Sequence, residues 1–208
     1  MKIYDLRTDT ITKPSDEMRR AIYEAECGDD VYMEDPTVNK LQEMSAEITG
    51  KEKSIFVASG TMGNLIPLLI LGSKTKQMLL DEESHIMHYE LGGASSLAGI
   101  MPLTVKADRG ILTKKTIENY FKEQPYYMTK INIVEIENTH NRHGGSVYKI
   151  DILKELYKFV KSKNIHLHMD GARVFNASIS SKTSVKDIAS NTDSITFCLS
   201  KGLGAPMG

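Results

Sequence analysis

From residue 51 onwards, short apolar segments alternate with segments of helical periodicity, and this alternation restricts the possible folds more than any other feature of the chain. The apolar segments are predicted strands: residues 54–58, 78–80, 101–105, 131–136, 165–169 and 194–199. The clearest helical pattern covers residues 151–163. Such alternation predicts an α/β fold with a mainly parallel sheet and helices on both faces. We expect residues 51–208 to form this large domain, preceded by an N-terminal arm and helices in residues 1–50.

The N-terminal arm carries local signals for two helices. Residues 1–13 are polar and show little apolar periodicity. We expect the first helix to open at Pro14 and to stop at Gly28. In the second helix, Asp35 suits the N-cap position and Gly50 suits the C-terminal end.

Charge and composition exclude several classes of partner. The 26 basic and 27 acidic residues give a net charge of −1, which argues against nucleic acid or an anionic membrane surface. No apolar run reaches membrane-spanning length, and residues 1–5 do not resemble a signal peptide. Cys27 and Cys198 provide no disulfide framework, which favours a reducing compartment. We therefore expect a cytoplasmic protein that acts on a small molecule.

Ligands of open α/β sheets bind beyond the carboxyl ends of the strands, so the residues that follow each strand carry the functional signals. Residues 59–64, after the first predicted strand, form a turn of small and hydroxyl residues before an apolar helix. Backbone N–H groups at such a helix start suit a phosphate. An ordinary strand–helix turn with Thr61 as the cap explains the pattern equally well. The Gly-Lys-Ser/Thr ending of a nucleotide P-loop is absent.

His85 follows the second strand. It could stack on a ring or transfer a proton, although a single histidine in a loop is more often a polar surface residue without a chemical role. His88 could pair with it on a metal ion, but no third ligand has suitable spacing. We therefore expect no metal site.

The last strands are followed by the remaining chemical groups. Residues 137–141 form a polar cluster that turn chemistry can explain. Asp170 and Arg173 follow the fifth strand, where an ion pair or a helix cap is the simpler interpretation. Lys201 follows the sixth strand between small residues, and it is either a surface lysine or a partly desolvated amine suited to a Schiff base. Together, a lysine, a carboxylate, a histidine and a phosphate turn are what pyridoxal phosphate requires.

Seven sequence segments resemble the low-specificity L-threonine aldolase family of β-eliminating lyases. They are residues 5–10 (DLRTDT), 28–32 (GDDVY), 34–39 (EDPTVN), 59–64 (SGTMGN), 137–141 (ENTHN), 168–176 (HMDGARVFN) and 199–206 (LSKGLGAP). The resemblance extends over essentially the whole chain. It implies the fold type I architecture of aspartate aminotransferase, pyridoxal phosphate as cofactor, and cleavage of L-threonine and L-allo-threonine to glycine and acetaldehyde.

The resemblance also implies roles for individual residues. Lys201 would form the Schiff base with the cofactor and Asp170 would pair with the pyridine nitrogen. The remaining roles are phosphate binding by Gly60 and Thr61 and stacking on the pyridine ring by His85. Arg173 would contact the cofactor and, together with Thr8, bind the substrate carboxylate. His85 is also the first candidate for the general base.

The sequence departs from the family pattern at three positions. Met33 replaces a usual glycine, which would strain the backbone if that position has a positive φ. Thr8 replaces a common serine and keeps the hydroxyl. Tyr127 stands where many relatives carry a histidine near the substrate hydroxyl, so the side-chain preference is open.

The family continues beyond the lysine motif into a last strand and a small C-terminal domain. We therefore expect this chain to be either a fragment or a natural truncation, without the second arginine that the small domain supplies. Family sites are completed by a neighbouring subunit, which implies a homo-oligomer, a dimer or a tetramer. Two alternatives stay open: another β-eliminating lyase that acts on a different amino acid, and a catalytically inactive fragment of the fold.

Overall fold

The computed structural model describes residues 4–208, so residues 1–3 of the expected polar arm lie outside the described part. Five parallel strands form one sheet in the order β2-β1-β3-β4-β5. The strands are β1 Gln77–Asp81, β2 Met101–Val105, β3 Ile131–Glu137, β4 His166–Asp170 and β5 Ser194–Thr196. Because all five run in the same direction, their carboxyl ends meet along one edge of the sheet.

Helices connect the strands and precede the sheet. The α-helices in the described residues are α1 Asp16–Glu24, α2 Pro36–Thr49, α3 Gly60–Leu71, α4 His85–His88, α5 Gly93–Ser96, α6 Lys114–Ile117, α7 Ile150–Ser162, α8 Val174–Ser181 and α9 Val185–Ala189. Short 3₁₀ segments occur at Asp9–Ile11, Asp30–Tyr32, Asp108–Gly110 and Glu118–Phe121. No helix within residues 4–208 is both long and apolar enough to cross a membrane.

Apolar clusters cover both faces of the sheet. Leu79 of β1 packs into the larger cluster, whereas Met78 and Leu80 point into the other. The larger cluster takes its helical side chains mainly from α7, α8 and α9, and the smaller one from α3, α4 and α5. Side chains of a strand alternate between faces, so a sheet covered on both sides needs strands that are apolar at nearly every position. The predicted α/β class is confirmed.

The helix-end signals of α2 are confirmed. The Asp35 side chain accepts the N–H of Val38, and Gly50 ends the helix with a φ of 65°. In contrast, α1 ends at Glu24 instead of continuing to Gly28. The N–H of Gly28 donates to Asp35 Oδ2 at 3.0 Å, so the segment after α1 is extended and held against the start of α2.

The predicted strand at residues 54–58 is wrong. This segment runs as an extended connection, in which the N–H of Phe56 donates to Gln42 Oε1 at 2.9 Å instead of to a neighbouring strand. Its side chain at Ile55 is 68% exposed. The last predicted strand, residues 194–199, is also too long, because β5 ends at Thr196, which pairs with Asp170 at the end of β4. Cys198 is therefore buried but lies outside the sheet.

Candidate active site

The carboxyl edge of the sheet borders a cleft of about 360 Å³. The predicted site residues that line it are Gly60, Thr61, His85, Asp170 and Lys201. Asp170 ends β4, His85 opens α4 after β1, and Gly60 opens α3. Residues separated by up to 141 positions thus meet because parallel strands deliver their carboxyl ends to the same place.

Asp170 is buried and its carboxylate is held on both oxygens. Oδ2 accepts the side-chain amide of Asn64 at 2.8 Å, and Oδ1 accepts the N–H of Ala172 at 3.0 Å. Asn64 also donates to Glu90 Oε1 at 2.8 Å. These hydrogen bonds leave the carboxylate little rotational freedom, which suits a group that must face one ring atom of a ligand.

His168 supports Asn64 from beneath the cleft. Its Nε2 lies 3.2 Å from Asn64 Oδ1 and its Nδ1 lies 2.8 Å from Ser194 Oγ. Complete burial lowers the pKa of His168 to about 4, so the imidazole is neutral near pH 7. A neutral ring can donate from Nε2 to the Asn64 oxygen and accept at Nδ1, which orients the amide nitrogen of Asn64 towards the two carboxylates.

His85 is anchored by two buried carboxylates. Its Nδ1 lies 2.8 Å from Glu90 Oε1, and its backbone N–H donates to Glu137 Oε2 at 3.0 Å. The Glu90 contact raises the pKa of His85, partly opposed by burial. Since Nδ1 is engaged, Nε2 is the ring nitrogen left for a ligand.

Further carboxyl groups lie behind the cleft. Burial, followed by the charge of Asp170, raises the pKa of Glu135 well above its ordinary value. The same two causes raise the pKa of Glu137. A concentration of carboxyl groups at one place favours bound groups that carry a positive charge, such as an ammonium or a protonated ring nitrogen.

The turn at the start of α3 has the form expected of a phosphate site. Ser59 is the N-cap and accepts the N–H of Met62 at 3.2 Å, so the alternative with Thr61 as the cap is wrong. The first N–H groups of a helix have no partner within the helix and can bind an anion. A Cβ at Gly60 would lie 2.7 Å from Cys198 Sγ, so this position has no space for a side chain.

Lys201 lines the same cleft in a bend that follows β5. The Thr12 hydroxyl donates to its carbonyl oxygen at 2.7 Å, and the N–H of Gly204 closes a turn on that oxygen at 2.9 Å. The carbonyl oxygen of Lys201 therefore accepts two hydrogen bonds, one from the N-terminal arm and one from the turn that follows it. Burial raises the pKa of the neighbouring Cys198 thiol, and the Lys201 charge opposes that rise.

Arg173 and Thr8 do not line this cleft. Arg173 forms a two-pronged ion pair with Asp9, with Nε–Oδ2 at 2.7 Å and Nη2–Oδ1 at 2.8 Å. The guanidinium holds the pKa of Asp9 below its ordinary value. Thr8 lies beside this pair and accepts the N–H of Thr10 at 3.3 Å. Thr8 thus belongs to the N-terminal arm, whereas Arg173 directly follows the cleft residue Ala172 and joins that arm to the start of α8.

Two of the departures noted in the sequence have clear structural settings. Met33 is left-handed with a φ of 59°, so a position where the family has glycine does use a positive φ. Tyr127 is 75% exposed and does not line the cleft.

Three residues of the network were not identified as site residues from the sequence: Asn64, Glu90 and His168. Asn64 and His168 stand inside segments that resemble the family, and His168 is a polar residue within an apolar strand pattern. That interruption was the available signal. Glu90 offered none, because only the fold brings it next to Asn64.

The family assignment rests on the sequence as a whole. The sequence profile of the family described as "Beta-eliminating lyase" matches residues 5–208. The chain belongs to the β-eliminating lyase family. It is 40% identical over 205 residues to the low specificity L-threonine aldolase of Escherichia coli strain K12, covering 98% of this chain and 61% of that protein. It is 39% identical over 212 residues to low-specificity L-threonine aldolase 1 of Arabidopsis thaliana, covering 100% and 59%.

A solved structure shows the same fold. The Leishmania major threonine aldolase matches with a TM-score of 0.78 at 22% identity, covering 93% of this chain and 57% of that one. The chain thus spans roughly three-fifths of the length of these relatives. The expected family and the fold type I architecture are confirmed, and pyridoxal phosphate is the cofactor on which this family depends.

The residues present fit that cofactor. The cleft offers a lysine amine, a buried carboxylate with fixed orientation, a histidine and a helix N-terminus at which Gly60 has no space for a side chain. Pyridoxal phosphate requires groups of these kinds: an amine for a Schiff base, an acid for the pyridine nitrogen, a group that packs on the ring and donors for the phosphate.

Proposed function

We propose that this protein cleaves L-threonine and L-allo-threonine between Cα and Cβ and releases glycine and acetaldehyde. The observation that carries the proposal is the convergence of Lys201, Asp170, His85 and the start of α3 on one cleft. The 40% identity to a low specificity L-threonine aldolase supports the choice of substrate. When bound, pyridoxal phosphate supplies an electron sink for the electron pair left on Cα as the bond breaks.

In this proposal, the residues of the cleft hold the cofactor. Lys201 binds it through a Schiff base, and Gly60 and Thr61 bind its phosphate with their N–H groups. Asp170, fixed by Asn64, pairs with the pyridine nitrogen and favours its protonated form, because a carboxylate stabilises a nearby positive charge.

His85 is the proposed general base. It lies over the cleft with Nδ1 held by Glu90, so Nε2 accepts the proton of the substrate β-hydroxyl. Loss of that proton allows the oxygen to become the carbonyl of acetaldehyde while the Cα–Cβ bond breaks. The Glu90 contact makes His85 a stronger base than an ordinary histidine.

Arg173 and Thr8 are proposed to bind the substrate carboxylate. The Arg173 guanidinium already forms a two-pronged pair with the Asp9 carboxylate, which has the same shape and charge as the substrate group. The substrate would therefore compete with Asp9 for Arg173.

The organisation of the protein is part of the proposal. We propose an N-terminal arm with helices in residues 1–50, a cofactor-binding domain in residues 51–208, a cytoplasmic location and a homo-oligomer. Two free cysteines suit a reducing compartment. An oligomer is supported by large apolar side chains that residues 22–33 expose, namely Ile22, Tyr23, Val31, Tyr32 and Met33.

The test combines a cofactor label with turnover. The purified protein is mixed with pyridoxal phosphate, reduced with borohydride and digested, and the modified peptide is identified by mass. We expect the label on Lys201, no label in Lys201→Arg, and full labelling in Lys154→Arg, which changes an exposed lysine of α7. A label on another lysine would overturn the assignment.

Turnover is measured as acetaldehyde released from L-threonine and L-allo-threonine, coupled to alcohol dehydrogenase. We expect activity with both substrates and none in Lys201→Arg. Activity only with an amino acid that carries a β-leaving group would select a different lyase of this family. A label at Lys201 without any turnover would identify an inactive cofactor-binding protein.

A further inference from the structure

A second cluster of ligating side chains lies at the carboxyl edge of the sheet, outside the cleft. It consists of Asp81 at the end of β1 and of His140 and His143 in the turn after β3. Asp81 Oδ1 lies 3.2 Å from His140 Nε2 and 3.2 Å from His143 Nε2. The three ligand atoms are all within 4.8 Å of one another.

The two 3.2 Å spacings from Asp81 Oδ1 match two edges of a tetrahedral metal site. With metal–ligand bonds of about 2.0–2.1 Å, ligand atoms of a tetrahedral zinc ion are about 3.3 Å apart. Two imidazoles and one carboxylate are donors that zinc and similar transition metals bind, whereas magnesium and calcium prefer oxygen ligands throughout.

The hydrogen bonding of the cluster is incomplete without an ion. His140 is fully buried, and neither of its ring nitrogens has a hydrogen-bond partner. Its Nε2 lies 3.2 Å from Asp81 Oδ1 but makes no well-aligned hydrogen bond to it. The same oxygen already accepts the N–H of Glu83 at 3.0 Å and faces His143 as well. The N–H of Glu83 and the Nε2 atoms of both histidines thus face one oxygen, while the buried imidazole of His140 has no hydrogen bond. A buried polar group without a partner lowers the stability of the fold.

The surrounding backbone holds the ligands in place. The second Asp81 oxygen accepts the N–H of Ala107 at 3.1 Å. The N–H of His140 donates to the Ser146 carbonyl, and the N–H of Gly145 donates to the His140 carbonyl, so the turn closes behind both histidines. Gly110, with a φ of 71°, packs against both rings, and a Cβ there would approach His140 Cδ2 to 2.3 Å.

We propose that Asp81, His140 and His143 bind a zinc ion through Asp81 Oδ1 and the two Nε2 atoms. His143 is partly exposed, so a water molecule completes the tetrahedron from its side. The ion joins the end of β1 to the turn after β3. That turn begins at Glu137, which holds the backbone of His85. The metal site therefore stabilises the wall of the cleft without contacting the substrate.

The test measures zinc binding to protein saturated with pyridoxal phosphate. Saturation matters because His85, Glu90 and Asp170 form another group with ligand spacing, and the cofactor covers it. The protein is freed of metal with a chelator and titrated with zinc by calorimetry. Cobalt is titrated in parallel, since its visible spectrum reports tetrahedral coordination. We expect one equivalent of zinc and a tetrahedral cobalt spectrum without a thiolate band.

Two histidine variants form a matched pair. His143→Gln removes a partly exposed ligand, and His88→Gln removes an exposed histidine outside the cluster, whose Nε2 hydrogen-bonds to the Glu82 carbonyl. We expect His143→Gln to weaken zinc binding by more than the roughly 10–100-fold that loss of an outer-shell partner costs. We expect His88→Gln to bind as the parent does. A parent that binds no zinc, a zinc affinity in His143→Gln within about tenfold of the parent's, or a cobalt–thiolate band from Cys27 would each overturn the proposal.

Discussion

The buried His168 makes a strong prediction about how stability depends on pH. In the folded protein, burial lowers the pKa of His168 to about 4, whereas its ordinary value is 6.5. As the pH falls below the ordinary value, the unfolded chain binds a proton that the folded protein cannot accept. Stability due to this residue is therefore complete above the unfolded pKa and is lost as the pH falls towards the folded pKa.

The magnitude follows from the two pKa values. Between about pH 7.5 and about pH 5, the unequal protonation of His168 lowers the free energy of unfolding by about 2 kcal/mol. His168 is completely buried, so solvent does not screen this contribution. Other titrating groups, including His85 with its raised pKa, contribute their own pH dependence. They are present in parent and variant alike and cancel in the comparison.

The assay is urea unfolding at both pH values with a fixed concentration of cofactor. His168→Gln places an amide at the position of Nε2 and removes the titrating group. From the higher to the lower pH, we expect its free energy of unfolding to fall by about 2 kcal/mol less than that of the parent. His166→Gln is the matched control, since His166 lies on the same strand but is not fully buried. If parent and His168→Gln lose the same free energy, the buried neutral imidazole is not the cause.

Three further predictions concern the site and its supports. Glu90→Gln removes the contact that raises the pKa of His85. The acidic limb of the plot of kcat against pH should therefore move to lower pH. If the limb does not move, His85 is not the base. Gly60→Ala places a Cβ near the Cys198 sulfur, so we expect it to weaken cofactor binding in a fluorescence titration. Adding Cys198→Ala to the same chain should restore part of the lost affinity. If the effects of the two substitutions on affinity are additive, the two side chains do not clash. Met33→Gly removes the strain of a non-glycine residue at a positive φ, so we expect the free energy of unfolding in urea to rise by about 1 kcal/mol. A decrease in that free energy would show that the methionine side chain itself stabilises the fold.

The ends of α2 were predictable because capping is a local matter. The Asp35 carboxylate reaches an N–H three residues away, and Gly50 adopts a backbone conformation that its lack of a side chain permits. The strand at residues 54–58 was not predictable in the same way. Its apolar composition is typical of a strand, yet Ile55 is 68% exposed, and only the position of Gln42 decides that the N–H of Phe56 bonds to a helix side chain.

The candidate site likewise combines residues that the sequence could identify with residues that only the fold reveals. Lys201, Asp170 and His85 could be identified because each follows a strand or predicted strand, and parallel strands end at one edge. Their supports could not. Glu90 and Asn64 meet through a contact over 26 positions, and His168 reaches Asn64 over 104.

The sequence by itself determined the α/β class, the caps of α2 and the candidate residues at the strand ends, because periodicity, capping and motif spacing act within a few residues of the chain. Only the tertiary structure decided which polar groups meet. Asp81 and His143 are 62 positions apart and are brought to 3.2 Å by the pairing of β1 with β3, which no local pattern encodes. The same pairing places the buried imidazole of His140 beside them without a hydrogen-bond partner, and this is the physical basis of the proposed zinc site.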